Sequence, residues 1–441
     1  MFYKFLSNPI SNISICLYRI LFGILLQILV FRFFSNHWIE KYFLKPKFFF
    51  KYYGWEWLPQ LDSEYMIYLF ILLFGFAFLI TIGFLYRVSI VGFFLLFSYF
   101  HFYDQSYYLN HYYLVSLLCF LLIWIPADKR FSVYSYFRKS TEQQTKAWHL
   151  YILLFQISVV YFFGFVAKLK TDWIFEALPL QLWLLQQSDF PLIGSILTLP
   201  ITAYFFSYFA ILFDLLIPFL LFSKKFKKLG FILAILFHIS TAMFFQIGMF
   251  PWIMLISILL FIEPEVWEDF LVRIKKNHTA VSEEILLEEK PIQASRKILL
   301  PIFILLYIFF QILFPLRFLL YPNSLAWSEE GFRFSWNIMI VEKRGNIEFR
   351  IHDKTHHKNF LVRAEDYLTP FQIYMMSYQP DMILQFVKFL KKDFLSKSMD
   401  VEIFVDCFVS LNGKESKRLI DETIDLSLET ESFKPKKWIL K

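Results

Sequence analysis

The stretch W-H-L-Y-I-L-L-F-Q-I-S-V-V-Y-F-F-G-F-V-A-K-L-K-T-D-W runs from Trp148 to Trp173. Its apolar part, up to Ala167, is long enough to cross a bilayer as one helix. Lys168 is its first charge. An ammonium at the end of a membrane helix is costly to dehydrate, so it snorkels to water or has a chemical task. Burial lowers a lysine pKa and frees a neutral amine to act as a base. Tyr161, seven residues earlier, falls on the same helix face. Two readings stay open on spacing alone: a snorkelling Lys168 paired with Asp172, or a base.

Composition extends this reading to the whole chain. Of 441 residues, 58% are hydrophobic and only 18% charged, with 59 Phe and 12 Gly. Ordinary soluble domains are not built this way. Several more runs of roughly 18 or more apolar residues predict a polytopic helical membrane protein. The formal charge of +7 sits largely in short inter-helix loops, where it sets orientation and meets anionic lipid. No nucleic-acid motif accompanies it. Cys16, Cys119 and Cys407 form no C-x-x-C pair, so neither a disulfide framework nor a zinc site is legible. The run from Ile13 to Phe34 is too long for a cleaved signal and reads as the first membrane helix.

The apolar runs predict helices near 12–34, 65–85, 88–103, 107–125, 148–169, 196–222, 230–247, 249–262 and 298–320. The expected fold is therefore mainly α, a transmembrane bundle of about nine helices over 1–320. Gly248 and Pro251 separate the seventh and eighth, which also read as one broken or re-entrant segment. Arg87, Lys129, Arg130, Arg138, Lys139, Lys224, Lys225, Lys227, Lys228, Arg273, Lys275 and Lys276 fall on one side, which predicts a cytoplasmic N-terminus. Lys168 and Lys170 fall on the other, with Lys41, Lys45, Lys47 and Lys51 as the exception. Nine spans then put the C-terminus outside, in a bacterial periplasm or an organelle lumen.

In the loop 263–297, Trp267, Phe270, Leu271 and Ile274 recur at helical spacing and predict a short interfacial helix. Lys51–Trp57 reads as an interfacial anchor. After Tyr321 the composition changes. Phe334–Val341, Asn346–His352 and Val401–Val409 read as strands, and Pro370–Phe394 as a helix. Residues 321–441 thus form a small β-rich α+β domain outside the membrane, packed over the bundle.

Further polar constellations lie inside this apolar frame. Asp104, Tyr108 and His111 fall at i, i+4 and i+7, with Asn110 beside them. A carboxylate near a histidine orients it, and an interfacial polar cap is the equal alternative. His238 lies in an apolar run, with Thr241 one turn on. It either hydrogen-bonds a neighbouring helix or does chemistry. Arg19 and Asp214 are intramembrane charges that pair with each other or bind a headgroup. No phosphate loop, G-x-S-x-G elbow or H-E-x-x-H is present, and no metal-ligand spacing is seen. His352, His356 and His357 read as a solvated turn.

These residues resemble the vitamin K-dependent γ-glutamyl carboxylases, part of the wider horizontally transferred transmembrane domain class. Y-F-F-G-F-V-A-K-L-K-T-D-W resembles the segment that carries the family's catalytic lysine. Lys168 matches that base, and Ala167 replaces a preceding lysine. Asp104 through Asn110-His111 is similar to a motif whose Asn and His are active-site residues, with Tyr108 in place of a tryptophan. F-H-I-S-T-A-M-F-F-Q-I-G-M-F at Phe237–Phe250, G-F-R-F-S-W at Gly331–Trp336 and V-S-L-N-G at Val409–Gly413 resemble further family segments. Phe332 departs from a family tyrosine, Val341 and Lys343 from a His and an Arg, and Thr241 and Met243 from two amides. The cysteines of a family disulfide are missing.

The resemblance implies a carbon–carbon lyase that is also a vitamin K epoxidase. Lys168 as neutral base deprotonates a reduced vitamin K, a naphthohydroquinone. Its anion reacts with O2 to give a stronger base, which removes a γ-proton from a glutamyl peptide or protein. CO2 then adds, and no metal takes part. His111 with Asn110 positions the quinone, Asp104 orients His111, and Tyr161, Tyr108, His238 and Trp336 shape the pocket. The partners so implied are the lipid bilayer, the quinone and a glutamyl acceptor, and the composition leans towards a bacterial inner membrane. An enzyme on another lipid-soluble substrate, and a non-catalytic binding or transport protein, remain the rival readings.

Overall fold

The computed structural model describes residues 2–139, 142–274 and 294–441. The longer helices of the first part are α1 (Ile13–Ser35), α2 (Ser63–Ile82), α3 (Tyr86–Tyr103), α4 (Asn110–Trp124), α5 (Ala147–Lys168), α6 (Pro200–Phe222), α7 (Lys227–Phe244), α8 (Phe250–Ile258), α9 (Pro264–Ile274) and α10 (Ala294–Leu313), with short helical turns between them. Among the described residues six spans are long and apolar enough to cross a membrane, or seven if the bent pair 250–261 and 264–273 counts as one. The α4 helix is a shorter apolar one. With backbone groups paired inside each helix, the apolar side chains can face hydrocarbon. The α1 and α5 helices are the most enclosed, while α7 and α10 lie on the rim.

The eighth run ends in a break of 90°, after which α9 turns away. That α9 segment is the expected amphipathic helix. Glu268 on α9 accepts hydrogen bonds from Ser11 and Arg130, which tie it to the bundle end. Lys275 and Lys276 lie outside the described residues. Trp55 of the Lys51–Trp57 loop stacks on Phe102 at 4.8 Å.

The C-terminal domain is a four-stranded antiparallel sheet with two helices. Strands β1 (Lys343–Asp353), β2 (Lys358–Val362), β3 (Val401–Leu411) and β4 (Lys417–Arg418) lie in the order β2-β1-β3-β4. The β1–β3 ladder runs from Lys343↔Leu411 to Asp353↔Val401. Alternate residues Val401, Ile403, Val405, Cys407 and Val409 face the core. Against it lie α11 (Pro370–Met376) and α12 (Pro380–Ser396). The expected single helix over 370–394 is two, because Pro380 can only begin a new one. The short strand β2 was not expected.

The expected strand over 334–341 does not form. Phe334, Trp336 and Met339 all have positive φ, at 60°, 57° and 50°. Such backbone is costly for residues with a side chain. Here aromatic packing holds it: Phe334 and Trp336 both lie about 5 Å from Tyr113, and Phe334 about 5 Å from Tyr108. The domain is joined to the loop between α1 and α2, whose Phe50 is fully buried in the domain core. The Lys51 amide donates to Gln385 on α12 at 2.8 Å.

Candidate active site

Lys168 is the last residue of α5 and is 7% exposed. It does not snorkel. Its Nζ donates to Asp214 Oδ2 of α6 at 2.6 Å and to the Gly164 carbonyl at 3.2 Å. The expected partner, Asp172, is taken by Asn412 and Lys414 at 2.9 and 2.8 Å. Gly164 makes the approach of α6 possible: a Cβ there would lie 2.9 Å from Asp214 Oδ2. Trp173 packs beside the ammonium, its ring centroid 5.6 Å from Nζ. Trp173 and Ser207 exchange side-chain-to-carbonyl hydrogen bonds and hold that ring in place.

The pair faces a cavity of about 150 Å³. Tyr161 and His238 line it too, and Tyr161 Oη lies 2.8 Å from His238 Nε2. His238 thus links α7 to α5, while its Nδ1 has no hydrogen-bond partner. Apart from these groups and two hydroxyls the lining is aliphatic and aromatic. A carboxylate and an amine in such surroundings interact strongly, because little water screens them.

His111 opens onto a neighbouring cavity of about 910 Å³. Phe244, Phe245, Ile247, Phe250, Ile338 and Met339 line both spaces and form the partition between them. Gly248, with φ +62°, passes His111 so closely that a Cβ would sit 3.4 Å from its Cε1. Asn110 is committed to protein contacts. Its Nδ2 donates to the Asn337 carbonyl at 3.1 Å, and its Oδ1 accepts from Tyr108 Oη at 2.9 Å. Tyr108 Oη accepts in turn from the Phe334 amide at 2.7 Å. Tyr108 and Asn110 therefore clamp the strained 334–339 segment. Trp336, fully buried beside Tyr113, leaves its Nε1 without a partner.

Two expected pairings give way to others. Asp104 does not orient His111. The helix ends at Tyr103 and a short 3₁₀ turn, Gln105–Tyr107, breaks the single face that the spacing suggested. Asp104 instead accepts from the Ser106 amide and from Gln372 Nε2 of α11, each at 2.8 Å. Burial lifts its carboxyl to about 6, although those hydrogen bonds pull the other way. Arg19 does not meet Asp214. Its guanidinium donates to the Phe131 carbonyl at 2.6 Å, far along the chain from α6. Asp214 is the functional side chain missed as a Lys168 partner, and its only sequence signal was a lone carboxylate inside an apolar helix.

Residues 7–267 match the family model of the HTTM domain, and residues 296–441 that of the vitamin K-dependent gamma-carboxylase lumenal domain. The chain belongs to the vitamin K-dependent gamma-carboxylase family. No solved structure matches it. The family is one of integral membrane proteins with a vitamin K-dependent, carboxylase-like function, which fits lipid and quinone as partners.

In this gamma-carboxylase, the lining around Lys168 is almost wholly apolar. A third cavity, polar and of about 410 Å³, lies where the lumenal domain meets the bundle. Its cations are spent internally. Lys343 donates to Glu329 at 2.9 Å, and Arg333 to Asp381 at 2.6 Å and to Gln379. Burial acts to raise the Asp381 carboxyl, but Arg333 outweighs it and holds that group below the usual range. Among the described residues no group of three His, Cys, Asp or Glu could hold a metal ion.

Proposed function

We propose that this protein is a membrane enzyme in which Lys168 is the base that deprotonates a reduced naphthoquinone, coupling its oxygenation to proton abstraction from an acceptor. The observation that carries this reading is the buried Lys168–Asp214 contact at the head of an apolar cavity. Bound there, the quinol would supply, with O2, the strong base that removal of a glutamyl γ-proton requires, and CO2 would complete a carboxylation.

The chain's own groups prepare that step. Asp214 Oδ2, 2.6 Å from Nζ, orients the lysine head at the cavity. In this reading Lys168 Nζ accepts the quinol hydroxyl proton, held in position by that contact. The aromatic lining excludes water, which would otherwise quench a strong base. The Tyr161–His238 pair fixes the far wall. His111 acts from beyond the partition on the part of the substrate that reaches the larger cavity, and Asn110 holds the partition itself. The orientation that goes with this reading has a cytoplasmic N-terminus and the C-terminal domain in a bacterial periplasm.

Oxygenation without peptide carboxylation is a second reading, favoured by the polar cavity, where Lys343 and Arg333 are already paired. One assay separates the two. Purified protein is given reduced vitamin K and O2, wild type against Lys168→Ala, with and without a glutamyl peptide and labelled CO2. Epoxide from wild type alone supports the base. Label in the peptide extends the reading to carboxylation, and its absence supports oxygenation alone. No epoxide from wild type sinks both.

A further inference from the structure

We infer that the larger cavity, the one beside His111, binds an amphiphilic anion from the bilayer, with a carboxylate or phosphate head on Arg32 and a hydrocarbon chain among the aromatic residues behind it. This ligand is a molecule separate from the quinol, and its binding needs no step of the functional reading above. Arg32 lies three residues before the end of α1 and lines the cavity. It is half-buried and rests on the Trp38 ring at 5.1 Å. Its side chain has no hydrogen-bond or ion-pair partner among the described residues. No aspartate or glutamate lines the cavity. A guanidinium left unneutralised beside apolar surface is costly, and its planar fork matches the oxygens of a carboxylate or a phosphate.

Two further basic groups turn to the same space. A Cβ on Gly248 would lie 3.4 Å from His111 Cε1 and 4.0 Å from Arg32 Nη1, so both groups approach one point. His101 on α3 lines the cavity as well. Its ring is held by stacking on Tyr108 at 5.4 Å and by the edge contact with Tyr112 at 6.0 Å. His101 is 5% exposed, yet its Nε2 has no hydrogen-bond partner. A buried polar atom without a partner is destabilising. An anionic oxygen in the cavity would supply one, in the tautomer that carries the proton on Nε2.

The rest of the lining suits a hydrocarbon chain. Phe43, Phe70 and Phe100 pack on one another, with centroids 4.1 to 5.4 Å apart, and make a closed apolar floor. Met243 of α7 and Trp252 of α8 also line the cavity and are 57% and 47% exposed. Exposed apolar residues on membrane helices face hydrocarbon, so a chain can reach the cavity from the bilayer. Sites that bury a whole drug-sized ligand hold roughly 300–1,000 Å³, and this one holds about 910 Å³. A small inorganic anion would meet Arg32 but leave the aromatic floor uncovered. A chain covers it, and each methylene removed from water adds to affinity. Charge and apolar surface together therefore select an amphiphile.

The test uses the full chain in detergent and three probes: dibromostearate, a phosphatidate with brominated chains, and the methyl ester of dibromostearate. Mildly alkaline buffer keeps the carboxylic acid ionised. Bromine quenches nearby tryptophan, and Trp38 and Trp252 line the cavity. At least one anion is expected to quench saturably, with the ester about tenfold weaker, and the tighter of the two anions identifies the head group. Changing Trp38 and Trp252 together to Phe should remove the saturable signal, and a signal that survives places the binding elsewhere and overturns the inference. Arg32→Gln is expected to weaken the anions about tenfold, roughly 1.4 kcal/mol, and to leave the ester unchanged. His101→Phe keeps a ring against Tyr108 but removes the nitrogen, and should weaken the anions about threefold. That variant carries the test if Arg32→Gln fails to fold. Ester and anion bound equally, anion binding untouched by both substitutions, or no saturable quenching in the wild type each overturn the inference.

Discussion

Replacing Lys168 and Asp214 singly and together separates what their contact does for stability from what it does for chemistry. At 2.6 Å and an effective dielectric constant of about 20, two unit charges attract by roughly 6 kcal/mol. Desolvation consumes several kcal/mol for each ion, so the intact pair adds little net stability. Removing one partner is different, because it leaves the other buried and uncompensated at a cost of about 3–5 kcal/mol. Lys168→Met and Asp214→Leu should therefore each lower the thermal midpoint in detergent by many degrees. The double variant, with apolar groups of similar volume, should return to near the wild-type midpoint. Quinol oxidation should be lost in all three. A double variant that still oxidises quinol would refute the base. Single variants as stable as wild type would refute the claim that the two groups meet in a water-poor site.

Gly164→Ala puts a methyl 2.9 Å from Asp214 Oδ2, so the carboxylate must retreat from Nζ; turnover should fall while the protein still folds, and unchanged turnover would show that the contact tolerates lengthening. Asp104 holds its proton up to about pH 6, against the ordinary value of 3.8. The folded state then binds more protons than the unfolded one in that window, so stability falls as pH rises through it, by at most roughly 3 kcal/mol. A pH series of thermal midpoints for Asp104→Asn should lack that slope, and an identical slope would assign it elsewhere. Asn110→Ala frees both the Asn337 carbonyl and Tyr108 Oη, so it should lower stability by about 1–3 kcal/mol as well as activity. An Asn110 acting on substrate alone would leave the thermal midpoint unmoved.

The membrane helices were legible because hydrocarbon imposes one rule on every span, and a run such as Ile13–Ser35 has no other stable solution. Lys168 and Tyr161 were legible as a facing pair for the same reason, since helical periodicity holds throughout α5. Periodicity failed where the chain left the helix. The Asp104–His111 spacing suggested one face, but backbone at Asp104 is extended and the face is broken. Alternation at 334–341 suggested a strand, yet its aromatic residues are buried by wrapping around Tyr108 and Tyr113 rather than by a ladder. Asp214 stayed ambiguous because partners on different helices are chosen by packing. Gly164, the residue that admits it, looks in sequence like any small residue in a span. The separate cavities of Lys168 and His111 were not readable either, since the wall between them is built from two segments about ninety residues apart.

The burial of Phe50 in the C-terminal core has a consequence in time. Its neighbour Lys51 is held by Gln385, 334 residues further along the chain. At about 5–20 residues per second, a ribosome needs roughly 17 to 67 s to supply that partner. Throughout that interval Phe48 and Phe50 are finished while the C-terminal core that buries them is not yet made. The N-terminal membrane helices must therefore be inserted and keep the loop from aggregating until the last domain is synthesised.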